Sequence, residues 1–136
     1  MVERAVVNAS PLILLSRAGH LHLPQAVSKT LLVPAQVVTE VRAKGEADPC
    51  ARALAEATWL EQVAVDAVPP AIAAWRLGAG ESAVLALASA RPGTAAILDD
   101  REGRRCATAL RIPVFVATLI GWVEVAAGEP VASRPT

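Results

Sequence analysis

Aromatic residues make up only 3% of this 136-residue chain, cysteine occurs twice, and lysine is absent beyond Lys44. Each scarcity excludes something. Cys50 and Cys106 have neither metal-ligand spacing nor the density of a disulfide scaffold, so both are expected to stay reduced and partly buried. No apolar stretch reaches about 18 residues before a charge, proline or glycine interrupts it, which leaves no transmembrane helix. Glu3 and Arg4 precede a strand-like VVN rather than a long apolar segment, so no signal peptide is expected and a cytoplasmic location follows. The glycosylation sequon at Asn8-Ala9-Ser10 then has no secretion route and is set aside. Formal net charge is zero, which argues against a nucleic-acid binder that relies on broad electrostatic attraction and leaves room for a local basic patch.

What is abundant is small and aliphatic. The hydrophobic fraction is 54% against 19% charged residues, and the excess is alanine, valine and leucine. A chain of this length forms one domain that buries about two-thirds of its unfolded surface. The pattern places that domain over residues 1–127 and leaves 128–136 as a poorly ordered tail. Arg4 to Asn8 reads as a buried strand, with Ser10 as the cap and Pro11 as the first residue of the helix that follows. Leu31 to Val33 is a second brief strand, followed by a helix from Pro34 carrying Val37, Val38 and Val41 inward, and by a helix capped by Asp48. Trp59 to Val65 alternates too loosely to separate a strand from a helix exit. Pro69-Pro70 opens a short helix to Leu77, and Gly78-Ala79-Gly80 reads as a turn launching an apolar helix from Glu81 to Ala90. Thr94 to Leu98 is a central strand, Arg101 to Arg111 a helix, Pro113 to Val116 a last strand, and Thr118 to Ala127 a last helix. Strands alternating with helices of this length predict a three-layer α/β/α sandwich with a mainly parallel central sheet.

Against that frame four polar positions stand at the rims of apolar runs: Asn8 in AVVNASPLILL, Glu40 in VVTEV, Glu81 in GAGESAVLALA, and Asp99-Asp100 in AAILDD. Ligands of such sheets bind beyond the carboxyl ends of the strands, where Asn8 and Asp99-Asp100 fall. Converging carboxylates repel by roughly 3 kcal/mol per pair at about 5 Å and an effective dielectric near 20, so they protonate, pair with bases, or hold a cation. The combination reads as a divalent-metal site. Each residue also has a plainer role available. Glu81 suits a helix first turn, Glu40 can pair with Lys44 on a solvated face, and the aspartates can cap the helix that follows them.

With those motifs in their order and spacing, VVNASPLILLSRAGHLHL, VPAQVVTEV, GAGESAVLALA and AAILDDREGRRCATALRIPV, the chain resembles the PIN-domain family of metal-dependent ribonucleases, and within it the toxin-like subgroup related to VapC. The resemblance runs from Val6 to about Gly121. It implies a Mg²⁺- or Mn²⁺-dependent endoribonuclease, the toxin of a toxin–antitoxin pair, with RNA as substrate, a small antitoxin protein as partner, and a homodimer formed through apolar helices. Carried across position by position, the family's acidic residues fall on Asn8, Glu40, Glu81 and Asp99 or Asp100, all of them metal-binding positions, with Ser10 at the accompanying hydroxyl. In that scheme Glu40, Glu81, Asp99 and Asp100 are the catalytic carboxylates, and Asn8 and Ser10 help to hold the cation. Two departures stand out. Asn8 is a neutral amide where the pattern has an aspartate, which keeps an oxygen but removes a charge and should lower metal affinity. The chain also ends soon after TLIGWVEVAAGE, where similar proteins often continue with further helix.

Arg101, Arg104 and Arg105 follow the aspartates on one helix and are candidate phosphate-binding residues; their plainer role is to pair with Glu102 or to cover apolar surface with their stems. His20 and His22 read as surface or capping residues, and Trp59, Trp75 and Trp122 as core or interface fillers. A phosphoacceptor receiver domain fails because it needs a lysine near its last strand, and a dinucleotide-binding fold fails because Gly78-Ala79-Gly80 follows a helix and lacks the third glycine. The remaining rival is a catalytically weak or inactive protein of the same fold that binds RNA or a protein partner.

Overall fold

The computed structural model of the protein describes residues 2–116. The helix expected over 118–127, the tail over 128–136 and Trp122 lie outside the described residues. Five strands, β1 (Val2–Val7), β2 (Ser28–Pro34), β3 (Leu60–Val63), β4 (Thr94–Ile97) and β5 (Val114–Phe115), form one sheet in the order β3-β2-β1-β4-β5. Every pairing is parallel, with Val6 opposite Leu32, Val7 opposite Ile97, Leu31 opposite Leu60 and Ile97 opposite Phe115. The helices that flank it are α1 (Ala9–Arg17), α2 (Ala35–Arg42), α3 (Pro49–Glu56), α4 (Pro70–Ala73), α5 (Ala79–Ala90) and α6 (Arg101–Ala109), with a 3₁₀ turn at Leu23–Ala26. This is the α/β/α sandwich that the alternating pattern predicts. Among the described residues, no helix is long and apolar enough to cross a membrane.

The central strands are apolar on both faces, as parallel strands covered by helices must be. Ala5, Val6 and Val7 of β1 and Ala95, Ala96 and Ile97 of β4 are all fully buried. Edge strand β3 exposes Glu61 and Gln62 and buries only Leu60 among its residues, which is why its sequence alternates too weakly to be read with assurance. Helix α5 is apolar nearly all round and buries Val84, Leu85 and Leu87 against β1, β2 and β4. Cys50 and Cys106 are both free and fully buried, and desolvation raises both thiols above their ordinary pKa.

The connectivity creates one reversal. From β1 the chain moves outward through β2 to β3, then returns to the other side of β1 for β4 and β5. The carboxyl ends of β1 and β4 therefore flank the point where successive connections diverge, the usual ligand crevice of an open parallel sheet.

The start of α1 differs from the sequence expectation. The helix begins at Ala9, one residue before the expected cap at Ser10, and Asn8 takes the cap position with extended φ −81° and ψ 165° but no side-chain capping bond. Turning two residues earlier lets the Asn8 N–H donate to the Ile97 carbonyl at 3.1 Å, so the seam between β1 and β4 is hydrogen-bonded to its end. Pro11 then falls within the first turn, where a missing N–H leaves no bond unmade. Gly80 also differs: it lies inside α5, with Gly78 as the cap, rather than in a turn before it.

Candidate active site

Asn8 leaves the end of β1 almost completely buried, with its amide oxygen turned to the crevice rather than used as a cap. Helix α2 buries Val37, Val38 and Val41, and this fixes Glu40 at the exposed rim next to α5. Gly80 is where the two meet. A methyl group built on its Cα would collide with Glu40 Oε1 and lie 3.2 Å from Asn8 Oδ1. The residue is glycine because two oxygens occupy the space that any side chain would fill, in a helix position where alanine is otherwise preferred by about 1 kcal/mol.

A second pair forms on the other side. Glu81, in the first turn of α5, is half-buried, and a methyl built on Gly103 of α6 would lie 2.7 Å from its Oε2 and 3.8 Å from Asp100 Oδ2. Asp100 also caps α6 by accepting from the Gly103 N–H at 3.0 Å. The plain capping role and the site role thus coincide in one carboxylate. Glu81 Oε2 is buried with no hydrogen-bond partner among the described residues, since what faces it is another acceptor, and the two carboxyls bond only when a proton lies between them. Its pKa is pushed up to about 7, first by burial, then by the charge of Asp100, the shared hydrogen bond with Asp100, and the charge of Glu40. That last influence ties the two pairs into one electrostatic cluster.

The oxygens thus form two neighbouring pairs, Asn8 with Glu40 and Glu81 with Asp100, which are linked by the charge of Glu40 acting on Glu81. Asp99, half-buried at the end of β4, adjoins them in sequence. Ser10 is exposed on the first turn of α1 and lines a hollow of about 480 Å³ with Ile13, Glu40 and Lys44. Among the described residues, no three His, Cys, Asp or Glu side chains form a ready cation cage by themselves. The acids divide instead between two places, Glu40 beside the Asn8 amide at Gly80 and Glu81 beside Asp100 at Gly103. The donor set nevertheless fits a hard divalent cation, being all oxygen, with a partnerless buried carboxylate atom and two glycines keeping the space clear.

Sequence reading missed both glycines. Their signal was present in GAGE and DDREGR, a glycine beside an acid inside a helix that does not stop there. The three arginines do not enter the carboxylate cluster. Arg101, Arg104 and Arg105 line a separate open groove along α6, and Arg105 Nη1 pairs with Glu102 Oε1 at 3.1 Å, as its plainer reading predicts. Trp75, expected as a filler, packs against the core with part of its ring and walls that groove with the rest. His20 and His22 form an exposed edge-to-face pair, centroids 6.0 Å apart, away from the carboxylates.

No curated protein matches the chain. A family model described as a PIN domain matches residues 4–120, a stretch that includes every candidate residue named above. PIN domains are typically nucleases and generally use divalent metal ions. Together with the five-stranded parallel sheet and its helical layers, a match over most of the sequence means that the chain belongs to the PIN-domain family.

Proposed function

We propose that the protein is a metal-dependent endoribonuclease that hydrolyses RNA phosphodiesters at the crevice beyond β1 and β4, and that it acts in the cytoplasm as the VapC-like toxin of a toxin–antitoxin pair. The observation that carries this reading is the pair of oxygens from Glu40 and the Asn8 amide at Gly80, next to the pair from Glu81 and Asp100 at Gly103, by the switch point of the sheet. Glu40, Glu81, Asp99 and Asp100 are the proposed carboxylate ligands and Asn8 a neutral one. A bound Mg²⁺ or Mn²⁺ would supply Lewis-acid polarisation of the phosphate and acidification of the attacking water.

The chain's own residues do the rest. Glu81 must give up its proton before it can serve as a ligand, and its raised pKa makes that a step near neutral pH. In this reading Ser10, which lines one hollow with Glu40, supplies a hydrogen-bonding hydroxyl beside the cation, while Lys44 in the same hollow and Arg101 at the head of α6 supply positive charge near the carboxylates. No side-chain nucleophile is required. The partners that go with this reading are a small inhibitory antitoxin and a second copy of the chain.

The test is cleavage of a single-stranded RNA in Mn²⁺. Glu81→Gln abolishes cleavage, EDTA abolishes it in the wild type, and Asn8→Asp increases it by restoring a charge; cleavage that persists in EDTA sinks the reading. The neutral Asn8, together with the absence of any tight group of three acids among the described residues, favours a second reading as an inactive RNA- or protein-binding module. That module would bind RNA equally well with metal, with EDTA, or with Glu40→Gln.

A further inference from the structure

The outer stripe of α6 is arranged like a core face but carries charge. Arg101, Arg104, Arg105, Thr108 and Ala109 recur at the i, i+3, i+4, i+7, i+8 spacing of one helix surface, and with Trp75 they enclose an open groove of about 600 Å³. The buried face of α6, Gly103, Cys106 and Ala107, is elsewhere. Helix stability does not explain the arginines. They occupy the first half of α6, its positive end, where the macrodipole disfavours cations. Nor are they all consumed by ion pairs. Arg105 is held by Glu102, but Arg104 Nε is buried and nothing among the described residues accepts from it.

Trp75 completes the other wall. Helix α4 ends through bonds from Trp75 N–H to Ile72 O and from Arg76 N–H to Ala73 O, both 3.0 Å, and Arg76 adopts φ 53°, in the left-handed region. A non-glycine residue held there stops the helix and fixes the direction of the chain on either side of it. The indole, positioned by that backbone, both packs on the core and lines the groove. An aromatic face beside a row of guanidinium groups matches one ligand chemistry, a nucleotide, with its base on the ring and its phosphate on the cations. The groove begins at Arg101, which directly follows Asp100 of the carboxylate cluster.

We propose that this groove holds one nucleotide of single-stranded RNA flanking the cleaved bond, its base stacked on Trp75 and its phosphate bound by Arg104 and Arg101. The proposal rests on the nuclease reading for the direction of the strand, but its test does not require cleavage. A variant with Trp59→Phe and Trp122→Phe leaves Trp75 as the single indole, and its fluorescence is followed in EDTA as a short oligouridylate is added. Saturable quenching is expected. Arg104→Gln should weaken the apparent affinity about tenfold, and Arg105→Gln much less, because Arg105 is already paired. Trp75→Leu, with Trp75→Phe as the ring-retaining control and melting curves to verify folding, should weaken binding of labelled oligouridylate while Trp75→Phe largely preserves it.

Three results overturn the proposal: labelled RNA binds without quenching Trp75, inorganic pyrophosphate quenches as strongly as the oligonucleotide, or oligoglutamate does. If quenching follows the expected pattern and Mn²⁺ produces no cleavage, the groove stands and the nuclease reading falls. If cleavage occurs and Trp75→Leu changes neither affinity nor product pattern, the groove falls and the nuclease reading stands.

Discussion

Helices α5 and α6 approach the carboxylates from neighbouring positions, yet they are built on opposite principles. Helix α5 is apolar on nearly every side and locked into the sheet, so the placement of Gly80 and Glu81 at its first turn is decided by the burial of Val84, Leu85 and Leu87 further along. Helix α6 buries only a narrow strip and spends its remaining surface on arginine and glutamate. The comparison separates two tasks. The packed helix fixes Gly80 and Glu81, and the polar helix brings Asp100 and Gly103 against them and keeps its arginines at the surface.

Both helices carry one glycine under a pair of oxygens, and exchanging each for alanine tests this division most strongly. Gly80→Ala should reduce RNA cleavage at least tenfold by pushing Glu40 Oε1 aside and crowding Asn8, while its melting temperature stays within a few degrees of the wild type. The displaced atom is the end of an exposed, flexible side chain, and alanine inside a helix returns about 1 kcal/mol. Loss of activity together with a large loss of stability would mean that Gly80 serves packing rather than the site.

A smaller effect separates the carboxylate pair from the pair of Glu40 and Asn8 by pH. Glu81 has a folded pKa of about 7 against an ordinary value of 4.5, so the folded protein binds this proton more tightly than the unfolded chain. Its contribution to stability is complete below the ordinary value and is lost as pH rises through about 7. In EDTA, melting curves from acid to mildly alkaline pH should show a decline of a few degrees across that window, flattened in Glu81→Gln. Added Mn²⁺ should raise the melting temperature most at the alkaline end, where the carboxylate is free to bind it. The smallest effect belongs to the solvent side of α6. Arg105→Gln breaks an exposed pair with Glu102 and should change unfolding free energy by less than about 0.5 kcal/mol in denaturant titrations.

How far the sequence disclosed this structure depended on how much burial each element carries. Runs such as AVV, LLV and TAAIL are buried on both faces and could be read directly, and proline or aspartate marked where several helices begin. The edge strand at Leu60–Val63 could not be read with the same assurance, because one buried leucine does not make a period. The helix start at Ala9 was missed because a bond to Ile97, far along the chain, outweighed the local preference for Ser10 as the cap. At the site, the acids were visible as polar residues on apolar rims. Their division into two pairs was not, since it depends on Gly80 and Gly103 making room from helices remote in sequence. Trp75 gave no sign of its second face, because nothing in VPPAIAAWRLG shows which elements will stand opposite it.

The hydrogen bond from the Asn8 backbone N–H to the Ile97 carbonyl has a kinetic consequence. It extends the ladder between the two innermost strands up to Asn8, so that end of the crevice should open with the most protected backbone of the domain. Deuterium should enter there among the last places in the molecule. If exchange there proves that slow, the floor is too rigid to mould itself to a ligand, and the ligand has to do the bending.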